Sequence, residues 1–116
     1  MNDRVQGILE HMLEDARDIA SIVAQVGTFE ALFCTMMARK AVVMSLLNIG
    51  ELANHLPADF TMAHPAIPWR SMIGLRNIAA HGYHQMSKEA IWNTVKVSIP
   101  ELIAFLETVL GGSNQT

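Results

Sequence analysis

The side chains of this 116-residue chain that could carry out proton transfer on an anion lie close together, between Gly74 and Tyr83. Arg76 supplies a permanent positive charge on a planar fork that matches phosphate oxygens. His81 supplies an imidazole that can accept or donate a proton near neutral pH. Such a pair is the minimum needed to break an RNA backbone without a metal ion, because the base takes the 2′-hydroxyl proton and the cation stabilises the developing phosphorane charge.

A structural interpretation fits the same residues. Arg76 could pair with Glu51 or another helix carboxylate, and His81 could cap the end of a helix. Asn77 could orient the histidine or bind a phosphate, but it could also bond only to the local backbone. Tyr83 could donate to a phosphate or accept a modification, or it could pack as a half-buried phenol. Residue spacing alone leaves both interpretations open.

The sequence predicts no metal ion and no cofactor. His81 and His84 are three residues apart, but no cysteine or placed carboxylate completes a zinc site, and Gly82 interrupts any helix that would align them. There is no glycine-rich phosphate loop. Cys34 lies within a predicted apolar helix, where we expect a buried and unreactive thiol.

The elements that must position these residues are predicted to be helices. Apolar residues at helical spacing predict a first helix over residues 3–25, capped by Asn2 or Asp3 and closed by Gly27. A second helix, capped by Thr28, is predicted to run to about Leu56. Residues 57–68 contain three prolines and no helical period, which predicts a long connection.

Two further helices are predicted after that connection. The third begins at Pro68, frays near His81 and stops at Gly82. The last begins at Ser87, is kinked or broken by Pro100, and ends at residues 111 and 112. On a regular helix, five residues turn the chain by about 500°, so Arg76 and His81 would point about 140° apart. They can share a face only if the helix unwinds between them.

The second helix carries two signals of close packing. Gly50 costs about 1 kcal/mol relative to alanine inside a helix, so its presence predicts the close approach of another backbone. The helix is also apolar on more than one side, which predicts a second subunit against Val43 and Leu46.

These elements predict an all-α, antiparallel four- to five-helix bundle that forms a homodimer. The chain is long enough for one domain, which we place at residues 1–111, followed by a flexible tail at 112–116. Hydrophobic residues make up 51% of the chain and charged residues only 16%. This apolar surplus favours the formation of an oligomer.

Charge and targeting signals restrict the function further. The net charge of −3 argues against binding nucleic acid through a broad basic field. Residues 31–100 nevertheless contain six bases against three acids, which leaves room for a local anion site. The chain shows neither a signal peptide nor an apolar run long enough to span a membrane, so we expect a cytoplasmic protein.

Two motifs resemble the HepT-like branch of the HEPN superfamily. One combines Ile67-Pro68-Trp69 with Ile73-Gly74-Leu75-Arg76-Asn77, His81 and Tyr83, and the other is Asn48-Ile49-Gly50-Glu51-Leu52-Ala53 in the preceding helix. The resemblance covers nearly the whole chain. It implies a helical homodimer, or a higher oligomer, that acts as a metal-independent endoribonuclease toxin on tRNA or mRNA.

The resemblance also implies roles for individual residues. Arg76 and His81 would carry catalysis with help from Asn77, in a cleft between two subunits, which would remove the need for both to share one helix face. Tyr83 would be adenylylated by a cognate nucleotidyltransferase antitoxin of the MntA kind, which silences the toxin. The alternative is a non-catalytic HEPN bundle that serves as a binding or regulatory subunit of a nucleotidyltransferase.

Overall fold

The computed structural model describes residues 1–77 and 87–113, and within these residues every regular element is helical, as predicted. The elements in chain order are α1 (Asp3–Val26), α2 (Phe29–Cys34), α3 (Met36–Asn54), α4 (Ala58–Ala63), α5 (Trp69–Gly74), α6 (Lys88–Asn93), a π-helical segment (Thr94–Ser98) and α7 (Ile99–Ser113). The start of α1 lies beside the residues that follow α3 and beside the end of α7, so α1 is antiparallel to both.

The first helix follows its sequence signals closely. The Asn2 side chain accepts a hydrogen bond from the Val5 N–H at 2.8 Å, which satisfies a donor that has no partner inside the helix. Gly27 closes the helix at φ 81°, and its N–H donates to the Val23 carbonyl at 2.8 Å. The predicted first helix is therefore confirmed.

The predicted second helix is two helices, because the chain leaves the helical conformation at Thr35 (φ −97°, ψ 101°). Thr28 caps α2 as expected. At the other end of α2, Arg39 Nη1 donates to the Phe33 carbonyl at 2.8 Å, so the side chain satisfies an acceptor left open by the break. Cys34 becomes the last residue of α2 and is exposed, so the expected buried thiol is wrong.

The hydrophobic core lies between α1, α3 and the helical run from α6 to α7. Leu46 is fully buried in this core and cannot face a partner subunit, so that part of the interface prediction is wrong. Val43 lies at the edge of the core and remains partly exposed. The largest fully buried side chains are Leu9, Met12, Ile19, Leu32, Leu46, Ile49, Ile91, Ile99, Leu102 and Leu106.

The connection predicted over residues 57–68 contains the short helix α4, which the proline content concealed. Phe60 packs its ring against the rings of His64 and Trp69. The Trp69 indole N–H donates to the His64 carbonyl at 2.9 Å. Aromatic packing therefore fixes this segment where helical periodicity gave no signal.

The third helix is shorter than predicted. Regular helix ends at Gly74, and the N–H groups of Leu75 and Arg76 donate to carbonyls only three residues back. This tight turn comes before Arg76, so it does not test the predicted 140° separation, which depends on the residues from Arg76 to His81. Residues 78–86, which include His81 and Tyr83, lie outside the described residues.

Pro100 perturbs the last helix without breaking it. The chain widens into the π-helical segment just before the proline, and the Ile99 N–H donates to the Thr94 carbonyl five residues back. The wider turn accommodates a ring that would otherwise crowd a carbonyl of the preceding turn. Helix α7 continues to Ser113, past the predicted stop at residue 111, and the tail residues 114–116 lie outside the described residues.

The close approach predicted at Gly50 is confirmed. A Cβ atom on Gly50 would lie 2.9 Å from the Met72 carbonyl oxygen and 3.0 Å from the Arg76 backbone nitrogen. Helix α3 therefore touches the backbone of α5 and the turn after it, and no larger residue fits without moving one of them.

We predict that Gly50→Ala destabilises the fold by about 1–3 kcal/mol, because the added methyl group meets backbone atoms that cannot rotate away. The matched control is Gly7→Ala in α1, where no atom lies within 4 Å of the place that the methyl group would occupy. This control should be stabilising by about 0.5–1 kcal/mol, the usual helical gain. Urea unfolding measures both, and equal effects of the two substitutions would contradict the close contact.

Candidate active site

Arg76 lies in the tight turn after α5 and faces Glu51 of α3. Its Nε atom is 3.0 Å from Glu51 Oε1, and both side chains are about half exposed. The contact follows from the packing at Gly50. Because Glu51 is the next residue on α3, the close approach of α3 to the turn places Glu51 beside Arg76. The ion pair that the structural interpretation predicted is therefore present.

The ion pair leaves chemistry available on the arginine. Glu51 binds the guanidinium through Nε, and the structure shows no hydrogen bond from Nη1 or Nη2 to another described residue. A guanidinium fork can bind two oxygens of a phosphate at once. Since a half-exposed ion pair is worth about 0–1 kcal/mol, Glu51 orients the arginine without binding it too tightly to engage an anion.

The predicted site residues divide into two groups. Arg76 and Asn77 are adjacent in the chain after α5, and Asn77 is exposed. His81 and Tyr83 lie outside the described residues, so their positions relative to Arg76 stay a prediction. Glu51 joins the site on the strength of its contact with Arg76.

A hollow of about 370 Å³ between α1 and α3 borders the same glutamate. Its lining is formed by residues spaced at helical intervals on the two helices: His11 and Asp15, then Asn48, Glu51, Leu52 and His55. Sequence patterns did not reveal this group because its members are far apart in the chain. The sequence signal that could have revealed this group is the helical spacing of polar residues on both α1 and α3, two helices that pack together.

Asp15 is the unusual group in this hollow. Burial raises the pKa of its carboxyl group, and the negative charges of Asp18 and Glu14 raise it further. A hydrogen bond from Asn48 and the proximity of His11 act in the opposite direction. Because the folded protein holds this proton more tightly than the unfolded chain, the protonated group contributes stability at low pH that is lost as the pH rises through the raised pKa.

An apolar hollow of about 320 Å³ lies on the outer side of α3, lined by Arg39, Lys40, Val43, Met44 and Leu47. Met44 remains 55% exposed although it belongs to this apolar lining. Met44, Leu47 and Glu51 are spaced by three and four residues, so they follow one line along the helix. The apolar hollow and the Arg76–Glu51 pair are therefore neighbours on one side of α3.

Two kinds of feature are absent from the part of the chain that the structure describes. It contains no group of three or more His, Cys, Asp or Glu side chains that could hold a metal ion. None of the helices it forms is long and apolar enough to cross a membrane.

The described residues form a small all-helical domain. Comparison with known proteins makes the class specific, since the family described as "Ribonuclease HepT-like" matches residues 12–109. The chain belongs to this HepT-like family of the HEPN superfamily, as the motifs indicated.

Individual relatives agree with this assignment. "Probable ribonuclease HepT" of Thermococcus cleftensis is 34% identical over 78% of this chain and 84% of its own length. "Putative RNase MJ0127" of Methanocaldococcus jannaschii is 33% identical over 91% of this chain and 87% of its own length. "Putative RNase MJ1380" of the same organism is 31% identical over 90% and 95%. No solved structure matches the chain at a significant level.

Proposed function

We propose that this protein is a metal-independent endoribonuclease that acts as the toxin of a toxin–antitoxin pair. Membership of a ribonuclease family supports cleavage of RNA. We propose tRNA or mRNA as the substrate. The observation that carries the proposal is the Arg76 side chain, which Glu51 binds through Nε at 3.0 Å while its terminal nitrogens have no partner among the described residues. This arrangement suits a phosphate that arrives from solvent.

The proposed mechanism uses two residues of the chain and their copies in a second subunit. His81 accepts the proton of the 2′-hydroxyl group, and the 2′-oxygen then forms a bond to phosphorus. Arg76 stabilises the negative charge on the phosphorane oxygens, assisted by Asn77. The bond to the 5′-oxygen breaks as the partner subunit's His81 donates a proton to it, which leaves a 2′,3′-cyclic phosphate and a free 5′-hydroxyl group.

A homodimer, or a higher oligomer built from it, would place two such half-sites in one cleft. The apolar lining formed by Val43, Met44 and Leu47 supports a second copy as its occupant, because it lies one to two helical turns from Glu51 on the same side of α3. An isologous contact along α3 would bring the two Arg76 side chains to the same groove. The partner copy would thereby complete the site.

Regulation would act through Tyr83. We propose that a cognate nucleotidyltransferase antitoxin transfers an adenylyl group from ATP to this phenol, with release of pyrophosphate, and so adds negative charge seven residues after Arg76 in the chain, which would repel RNA. The pair would operate in the cytoplasm.

Intact-mass measurement of the protein produced with and without the antitoxin tests the adenylylation of Tyr83. Tyr83→Phe should abolish the mass increase.

One observation favours the second candidate, a non-catalytic binding or regulatory subunit of a nucleotidyltransferase. The Arg76–Glu51 ion pair is the contact that a structural role for the arginine predicts. The family assignment and the half-exposed guanidinium favour the nuclease, and direct measurement of RNA cleavage separates the two candidates.

We predict that the purified protein cleaves total RNA in the presence of EDTA and produces ends with 2′,3′-cyclic phosphates. His81→Ala should reduce the cleavage rate by about 10²–10⁴-fold, the usual contribution of a general base. Arg76→Ala should reduce it by about 10²–10³-fold through the loss of charge stabilisation. Gel analysis of defined RNA substrates measures each rate.

Arg70→Ala is the matched control, because Arg70 is an exposed arginine of α5 that is outside the proposed site. It should cleave RNA at nearly the wild-type rate. If the wild type and both site variants leave RNA equally intact, the binding subunit is the better account. Loss of cleavage in EDTA alone would contradict the metal-independent mechanism.

We also predict that Met44→Glu weakens the homodimer by placing a charge in the apolar contact, while the exposed position of Met44 leaves the monomer folded. Met62→Glu is the control, since Met62 is 79% exposed on α4 and is not part of the apolar lining. Sedimentation velocity measures the oligomer. A monomeric wild type, or equal dissociation of both variants, would contradict a shared cleft at this surface.

A further inference from the structure

The hollow between α1 and α3 shares one residue with the proposed phosphate site. Glu51 lines the hollow and also contacts Arg76. The Glu51 side chain therefore separates the Arg76 guanidinium from the edge of the hollow. In RNA, a base is likewise separated from its phosphate by a single sugar. A nucleotide whose phosphate met Arg76 could therefore direct its base toward this hollow.

The size and lining of the hollow suit a flat polar ligand. Its volume of about 370 Å³ falls at the lower end of the range of about 300–1,000 Å³ found for small-molecule sites. Leu52 contributes an apolar surface, while His11 and His55 contribute imidazole rings of the kind on which unstacked bases pack. Asp15 and Asn48 contribute the hydrogen-bonding groups that can read the edge of a base, while Glu51 is engaged with Arg76 at the rim.

We propose that this hollow is a base-specificity subsite of the ribonuclease, and that it receives a guanine of the RNA strand next to the scissile phosphate. The inference rests on the proposed function for its biological meaning. It adds Asp15 and Asn48 as residues that determine specificity.

The preference for guanine follows from the hydrogen bonds that Asp15 can accept. An ionised carboxylate offers only acceptors, and two of its lone-pair directions are parallel. On the Watson–Crick edge, guanine alone among the four RNA bases presents two adjacent donors, N1–H and the exocyclic amino group. Asn48 lines the same hollow from α3 and favours the charged form of Asp15, so an amide group stands beside the carboxylate.

The energetic state of Asp15 supports the same assignment. Burial and the neighbouring Asp18 and Glu14 destabilise its negative charge, and the hydrogen bond from Asn48 compensates only in part. Two further N–H donors would relieve this cost when a guanine binds. A carboxylate kept in such a position at the expense of stability is typical of a site built for a ligand.

The first experiment measures cleavage of RNA oligonucleotides that are identical except for one variable base. We expect the wild type to cleave beside guanine about ten- to a hundredfold faster than beside the other bases, the usual effect of one well-matched two-bond contact. Asp15→Asn should bring the four rates close together, because an amide cannot accept from both donors. Glu10→Gln is the control, since Glu10 is an exposed acid of α1 that lines a different hollow.

The second experiment detects binding without any cleavage. Nuclear magnetic resonance of the His11 and His55 ring signals should show shifts with GMP that AMP, CMP and UMP do not reproduce. Asp15→Asn should abolish this difference while remaining at least as resistant to heat at pH 7 as the wild type, because it removes a destabilised charge. The thermal measurement shows that the variant is folded.

The outcomes separate this inference from the proposed function. RNA cleavage that is indifferent to the base, and unchanged in Asp15→Asn, would overturn the guanine subsite and leave the ribonuclease intact. Absence of shifts with all four nucleotides would also overturn it. Selective GMP binding at the two histidines without any cleavage of RNA would support the subsite and contradict the nuclease.

Discussion

The contact between two backbones at Gly50 is the constraint on which the candidate site depends. A side chain of any size at this position would push α3 away from α5 and from the turn that follows it, since backbone atoms lie 2.9 and 3.0 Å from the position of a Cβ. With glycine at position 50, Glu51 on α3 lies beside Arg76 in the turn. The Arg76–Glu51 pair is thus a consequence of helix packing, and the energy that positions it comes from the buried core and not from the ion pair itself.

Helix α3 serves three surfaces at once. One face carries fully buried residues such as Leu46 and Ile49 into the core. A second face leaves an apolar lining around Met44 partly uncovered, and a third presents polar groups toward α1. Glu51 lies where these last two surfaces meet. A helix used in this way explains why its sequence is apolar on more than one side and still contains an acid and an amide.

Sequence patterns predicted the features that depend on local chemistry or on the absence of a side chain. The caps of α1 and the close approach at Gly50 followed from residue types alone. The break at Thr35 was missed because a helical pattern continues across it and the stabilising contact comes from the side chain of Arg39. The tight turn at Arg76 was also missed, because the helical pattern of Trp69, Met72 and Ile73 was expected to continue past Gly74, where the regular helix ends.

The site was predictable to a different degree in each of its parts. Arg76 was identified from its residue type and its motif, and Glu51 was named only as the partner that a structural role would require. The hollow around Asp15 was not predicted, because its residues meet only when α1 and α3 pack side by side. Contacts between distant segments depend on packing geometry, which hydrophobic periodicity does not specify.

If Arg76 binds the phosphate of RNA as proposed, Glu51 affects cleavage only by orienting Arg76. The most direct test is a double-mutant cycle in which the rate of RNA cleavage is measured for Glu51→Gln, Arg76→Ala and the double variant. Glu51→Gln should slow the wild type by about tenfold, the equivalent of about 1.4 kcal/mol, and should have no further effect when Arg76 is already alanine. An equal slowing in both backgrounds would contradict it, because Glu51 would then act independently of the arginine.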